Sequence, residues 1–371
     1  MMEKGKISSL QMAVMMYPTI VATAILGIPS VTAKFAKTDF WLSPILASLM
    51  GYVTVYIAYK LHKLYPEQTV IQFSEHIIGR LAGKIIGFIF LFFYIQITGI
   101  IIKEYAEFVV DSFLINTPII VIMGTMTVLC AFVVQGGLEG IGRAAQLFVP
   151  LFIFPLLIAI ILVFPDFEFK NIFPILGHGI MPPIKGSIIP GGWFTEFFLM
   201  TFLLPFLADK KKGMKYGMLT VFAVMITLVV VNLVVLFVLG TTTHTKVYPL
   251  MNVARYISFG EFFEHMESIV MAIWVVGAFV KISVFYYATV LGTAQWLNLS
   301  DYRLVIWPLG ILMIVFGFWS MPNSMDLERF NLETFPIYAV FIQTIIPLSL
   351  LVIAVIRKRK SKRNSKGINS G

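Results

Sequence analysis

The sequence predicts an all-α integral membrane protein, with ten transmembrane helices in a five-plus-five inverted repeat. Three observations predict it. Of 371 residues, 58% are hydrophobic and 13% charged, whereas an average soluble chain is about a quarter charged. Mean hydropathy is +0.89, and the apolar residues fall into runs of the roughly 20 residues a helix needs to cross a bilayer. Two of these runs, five apart in order, carry glycine and proline interruptions. A water-soluble enzyme and a disordered or fibrous chain are excluded on the same grounds. Ten transmembrane β-strands are excluded because the runs are too long and lack strict alternation.

The first span, 8–33, follows Lys4 and Lys6 with no small-residue cleavage site, so it reads as a helix and not as a signal peptide. The second, third and fourth cover 41–60, 85–106 and 117–134. The third carries Tyr94, Gln96 and Thr98 at mid-depth, and the fourth holds Cys130. A single cysteine excludes a disulfide framework, an iron–sulfur cluster and a thiolate zinc site. The fifth span, 144–164, is opened by Gly140-Ile141-Gly142-Arg143-Ala144-Ala145, a dinucleotide-like spelling with no strand before it and therefore no dinucleotide site. The sixth covers 183–207, the seventh 216–240 and the eighth 267–292, with Lys281 near its middle. The ninth and tenth cover 303–320 and 335–356.

The chain thus divides into a membrane domain, 1–356, and a basic cytoplasmic tail, 357–371, expected to lack fixed structure. The loops around 61–84, 165–182 and 241–266 are long enough for short helices. In the last, Asn252, Val253, Ala254, Arg255, Tyr256 and Ile257, followed by Phe262 and Phe263, are partly amphipathic.

A net charge of +9 would suggest nucleic acid in a soluble chain. Here it marks cytoplasmic loops and contact with anionic lipid headgroups, so the partner is the bilayer and not nucleic acid. With the N-terminus inside, Lys and Arg favour cytoplasmic segments by more than two to one. Lys210, Lys211, Lys212 and the run at 357–360 contribute most. Both termini are then cytoplasmic. The five histidines have no metal-ligand spacing, and no nucleophile elbow, H-E-x-x-H or phosphate loop occurs. The reading is of a non-enzyme without cofactor or metal.

In the first span Gly27, Ile28 and Pro29 follow Thr23, Ala24, Ile25 and Leu26; in the sixth Pro190, Gly191 and Gly192 interrupt the run. Proline removes a backbone donor, and glycine costs about 1 kcal/mol in a helix interior. Irregular backbone at membrane depth survives only where protein or a polar cavity satisfies it. Breaks at equivalent positions of two repeats point to a central site. Half-helix N–H groups there meet a carboxylate and carbonyls meet an ammonium, so an α-amino acid fits both. The candidate binding residues are Ala24, Ile25, Leu26, Gly27, Tyr94, Pro190, Gly191, Gly192, Trp193, Glu196 and Tyr287. Simple kinks remain the alternative.

Gly27-Ile28-Pro29, Lys103-Glu104 with Asn116-Thr117-Pro118, and the run Gly179-Ile180-Met181-Pro182-Pro183-Ile184-Lys185-Gly186 resemble the endospore germination permease family. So does Gly192-Trp193-Phe194-Thr195-Glu196-Phe197-Phe198 with Pro205-Phe206-Leu207. These are the B subunits of three-component nutrient germinant receptors, within the amino acid–polyamine–organocation superfamily. The resemblance covers nearly the whole chain. It implies a leucine-transporter-like fold, a nutrient ligand such as an L-amino acid, the spore inner membrane, an A subunit with cytosolic regions and a lipoprotein C subunit. A proton- or cation-coupled amino-acid transporter of the same superfamily is the rival reading.

Lys281 lies too deep in span eight to reach either interface easily, and an unpaired lysine there costs at least about 2.5–3.5 kcal/mol. Gly277, Ala288 and Gly292 share its stripe, which turns it toward the bundle. It serves either as a surrogate for the sodium ion that spans one and eight flank in the related transporter fold, or as half of an ion pair. Glu196 could cap the broken helix, meet a ligand's ammonium or pair with Lys281. Lys103, Glu107 and Asp111, at helical spacing with Glu104 beside them, read as a solvated or subunit-facing surface. Trp193 closes over a ligand or anchors at the interface. Tyr94, Tyr286 and Tyr287 need hydrogen-bond partners if buried.

Overall fold

The computed structural model describes residues 3–256 and 266–368, and among these the ordered elements are helical apart from a single parallel bridge between Ile7 and Leu207. The α-helices are α1 Ser9–Ala36, α2 Ser43–Leu64, α3 Val70–Ile78, α4 Arg80–Ser112, α5 Ile119–Gln135, α6 Gly137–Val163, α7 Met181–Thr195 and α8 Met200–Leu203. They continue with α9 Gly213–Leu239, α10 Pro249–Ala254, α11 Met266–Leu297, α12 Ile306–Ser320, α13 Ser324–Arg329, α14 Phe335–Val340 and α15 Ile346–Ile368.

By length and composition, 8 helical stretches among the described residues can cross a membrane, where the sequence predicts ten. Two features account for the difference. The first stretch, Ser9–Leu64, holds both α1 and α2, joined by the 3-10 turn Lys37–Leu42. Lys37 there has φ +53°, and residues in helical classes continue on both sides of it. The apolar helix α5 is only 17 residues long.

Helix α1 packs against α6, α7, α9 and α11 and so runs through the centre. The contacts are reciprocal between halves: α1 lies on α9 as α7 lies on α2, and α1 meets α6 as α7 meets α14. Helices α4 and α12 cross in close contact. A Cβ on Gly99 would collide with the Met313 carbonyl, and one on Gly317 would fall 2.6 Å from the Gly99 carbonyl oxygen. Only glycine permits that approach.

The predicted break in the first span is absent. Helix α1 is continuous from Ser9 to Ala36 with Pro18 and Pro29 inside it. Pro29 forfeits a single backbone bond, and the Thr32 hydroxyl donates back to the Ile28 carbonyl at 2.6 Å, bracing the following turn. Four packed neighbours hold the rest. In the sixth span the Pro190-Gly191-Gly192 run also stays helical; the departure comes later, where α7 gives way to the 3-10 segment Glu196–Leu199.

Two departures that were not expected from the sequence lie just before and within the last span. Phe330–Thr334 and Phe341–Ile345 are π-helical. Pro336 and Pro347 each follow one of them by two residues. A proline ring clashes with the carbonyl four residues back, and the wider π turn relieves that clash.

Outside the spans, α3 and α10 are the short helices expected in their loops; Ile257, Phe262 and Phe263 lie outside the described residues. The basic tail, expected to lack structure, continues α15 to Ile368. Lys and Arg are good helix formers, and extending an existing helix needs no nucleation.

Candidate ligand-binding site

Helix α1 begins at a capping box. The Ser8 hydroxyl accepts from the Gln11 N–H at 3.1 Å, and the Gln11 side chain accepts from the Ser8 N–H at 2.9 Å. From that fixed start α1 brings Thr23 to the bundle centre, where α7 delivers Trp193, its 3-10 continuation Glu196, and α11 Lys281. Lys281 Nζ donates to the two Glu196 carboxylate oxygens at 3.0 and 2.8 Å and to Thr23 Oγ1 at 2.9 Å. Trp193 Nε1 donates to the same hydroxyl at 3.0 Å. Lys281 is fully buried, and Glu196 is 1% exposed. At that burial the pair holds only because both charges are hydrogen-bonded as well as opposite. Of the readings left open for Glu196, the geometry is that of the ion pair.

These four side chains line a cavity with Ile97, Ile100, Ile101 and Glu104 of α4 and with Phe330, Asn331 and Phe335. Its volume is about 10 Å³, the space of a single water molecule. In this arrangement the cavity is contracted: the Trp193 and Phe335 rings meet edge to face with centroids 4.8 Å apart. It is bordered by the 3-10 segment on one side and the first π segment on the other.

The remaining sequence candidates lie elsewhere. Ala24, Ile25 and Leu26 are buried in helix packing, and none of them, nor Gly27, lines the cavity. A Cβ on Gly27 would meet nothing within 4 Å. Gly191 lines a separate apolar cleft of about 440 Å³ between α2, α7 and α14, while Pro190 and Gly192 are buried, Gly192 against Phe335 and Pro336 of α14. Tyr94 is also outside the wall: its hydroxyl donates to Gln343 Oε1 at 3.2 Å, and Gln343 Nε2 donates to Thr195 Oγ1 at 3.1 Å. Tyr94 thus ties the second π segment to the residue before Glu196. Trp193 is 6% exposed, and its Nε1 is turned inward to Thr23, so its ring is not presented as an interfacial anchor. Tyr286 donates to the Ile306 carbonyl at 2.5 Å.

Tyr287 belongs to a different assembly. Its hydroxyl donates to Glu3 Oε2 at 3.4 Å, as do the Tyr302 hydroxyl at 3.1 Å and the Leu138 N–H at 3.2 Å. The Glu3 carboxylate thereby sits at the N-terminus of α6, where the helix dipole favours it. Gly137, at φ +82°, leaves room for it; a Cβ there would lie 3.2 Å from the carboxylate. Ile7 pairs with the chain after α8 through Ile7 N–H to the Phe206 carbonyl at 3.1 Å and Ala208 N–H to the Ile7 carbonyl at 2.9 Å. Asp209 accepts from the Ser9 N–H at 2.7 Å and its hydroxyl at 2.8 Å. Desolvation raises the Asp209 pKa, but these hydrogen bonds outweigh it and hold the carboxyl below its usual value. The amino-terminal segment is therefore pinned across one end of the bundle.

The Lys103, Glu107 and Asp111 face is not uniformly solvated, as the spacing suggested. Lys103 and Glu107 are buried and pair at 3.6 Å, and Lys103 also donates to the Pro322 carbonyl at 3.4 Å. The chain between α12 and α13 covers what would otherwise be a charged stripe.

A family model described as Spore germination protein matches residues 6–325. Spore germination protein YndE of Bacillus subtilis (strain 168) is 28% identical over 366 residues, covering 96% of this chain and 99% of the relative. Spore germination protein KB of the same organism is 25% identical over 374 residues, covering 99% of each. Among solved structures, a Na+-coupled sialic acid symporter in a substrate-bound outward-open state aligns with a TM-score of 0.68 at 13% identity, over 95% of this chain and 90% of the other. MhsT in complex with L-phenylalanine aligns with a TM-score of 0.65 at 12% identity, over 95% and 99%. At such identities the likeness is one of fold alone, and that fold is leucine-transporter-like.

Proposed function

The chain belongs to the spore germination protein family, and from that premise we propose that it is the nutrient-recognition B subunit of a spore germinant receptor. The family match, over residues 6–325, is the observation that carries the reading; it also sets the chain among permease-like germination proteins and not among enzymes. The ligand is a small nutrient, an L-amino acid, taken up in the cavity walled by Thr23, Trp193, Glu196 and Lys281. Its arrival widens the cavity, and the changed packing passes to an A subunit and a lipoprotein C subunit. A ligand shifts such an equilibrium only as far as it binds one arrangement better than the other.

The proposed architecture is of ten spans, with α1 and α2 counted separately and α5 included. The reciprocal packing of α1 on α9 and α7 on α2 supports a five-plus-five inverted repeat. The lysine and arginine asymmetry supports cytoplasmic termini in the spore inner membrane.

Deleting the gene should abolish germination in response to at least one nutrient from a panel of L-amino acids, sugars and nucleosides, and restoring it should return that response alone. Deletion spores that respond to the whole panel as wild type, but fail to accumulate a labelled amino acid, would instead favour a coupled transporter. The fold shared with a Na+-coupled symporter is the observation on that side.

A further inference from the structure

Two polar side chains on the cavity wall are unengaged. Lys281 has three N–H donors, and Glu196 and Thr23 occupy them all. That pair is complete and neutral. Glu104, on the α4 wall of the same cavity, makes no hydrogen bond and no ion pair among the described residues. It lies near enough to Lys281 and Glu196 to interact with both electrostatically. Asn331, from the first π segment, borders the cavity too, and its side chain makes no hydrogen bond among the described residues.

The cavity therefore holds one lysine against two glutamates, and the second glutamate stands on α4 beside Ile97, Ile100 and Ile101, with Lys281 already paired to the first. Glu104 is partly buried and has no cation in contact among the described residues, so it is reachable by a ligand and gains from a cation that joins it. Unbroken α1 offers no free half-helix carbonyls for an ammonium group, so the usual reason to look there is missing in this chain. We propose that Glu104 is the subsite for the ammonium group of the ligand, and that the Asn331 amide donates to its carboxylate end. This deepens the proposed nutrient reading and rests on it. Widening the cavity then needs only that the first π segment withdraw, since it carries Phe330 and Asn331 and leads directly into Phe335.

The test uses the full-length chain in lipid nanodiscs, with binding measured for an L-amino acid, its 2-hydroxy analogue lacking the ammonium, and the amine lacking the carboxylate. The wild type should prefer the amino acid. Glu104→Gln should weaken amino-acid binding on the order of ten- to a hundredfold, the range for losing a charged hydrogen bond. It should leave the hydroxy analogue nearly unchanged. Glu104→Asp should keep the preference, and Asn331→Ala should weaken both acids but not the amine. Because Glu104→Gln removes an unpaired carboxylate, its melting temperature should equal or exceed that of the wild type. A marked fall in melting temperature would mean that Glu104 has a structural partner, and the subsite would be withdrawn. Undiminished preference for the amino acid in Glu104→Gln would also end it, with the cavity itself still standing. A wild type that binds none of the three, or only sugars and nucleosides, would remove the nutrient reading and the subsite together.

Discussion

Lys281→Met is expected to lose about 3–5 kcal/mol of stability, the usual result of removing one partner from a buried ion pair. Methionine retains much of the length and the apolar stem, so the loss would come from charge and not from a void. Glu196 would be left at 1% exposure, facing a thioether that cannot donate, and Thr23 would lose one of its two donors. Thermal unfolding of the purified chain reads the loss, and protein level in the spore membrane should fall with it. Glu196→Gln combined with Lys281→Met should regain most of the stability, because the uncompensated charge is gone. Lys281→Arg should rescue poorly, since a planar guanidinium does not fit a site shaped around a point charge. The surrogate-cation reading of Lys281 further predicts that germination is indifferent to sodium at constant ionic strength. A Lys281→Met protein that melts and accumulates as the wild type does would show that the pair holds nothing in place.

Gly192→Val is expected to abolish the nutrient response, whereas Gly191→Val is expected to be tolerated. The two neighbours differ in what lies over them. A Cβ on Gly192 would stand 2.9 Å from Pro336 Cα and 3.3 Å from the Phe335 ring, while one on Gly191 meets nothing within 4 Å. Pro336 Cα is backbone and cannot rotate aside, so the valine must push α14 away from α7 at an overpacking cost of about 1–3 kcal/mol. That displacement falls on Phe335, the ring that meets Trp193 at the cavity. At Gly191 the side chain enters the apolar cleft, and valine is no poorer a helix former than glycine, so propensity adds no cost. The nutrient concentration giving half-maximal germination, measured at matched protein levels, separates them. Equal damage from both would mean that the glycines serve an unwound backbone after all.

The membrane class and most of the spans could be read from the chain because apolar run length is a strong, additive signal. The depth of Lys281 required a partner, and Glu196 was one of the few carboxylates within reach of it. What could not be read from the chain were outcomes decided by neighbours. Gly27 and Pro29 carry a local cost, but whether a helix breaks there depends on the four helices packed around it, which no local pattern encodes. Pro336 and Pro347 did carry a signal for the π turns before them, yet a run-length ruler treats proline only as an end or a kink. Glu3 was lost in the ordinary polar start of a membrane protein; three donors from 138, 287 and 302 make it a fixed element. Glu104 was hidden by its neighbours, since its one-residue offset from Lys103 turns it from the covered charged stripe to the cavity.

The most direct measurement is equilibrium binding, to the full-length chain in nanodiscs, of whichever nutrient the deletion spores fail to sense. The comparison is between the wild type and Thr23→Val, which keeps the shape of the side chain but removes the hydroxyl shared by Trp193 and Lys281. A nutrient site at this cavity predicts saturable binding by the wild type and a loss of about tenfold or more in Thr23→Val, as the two donors lose their common acceptor. Equal affinity in the two proteins would place the ligand elsewhere and contradict the account.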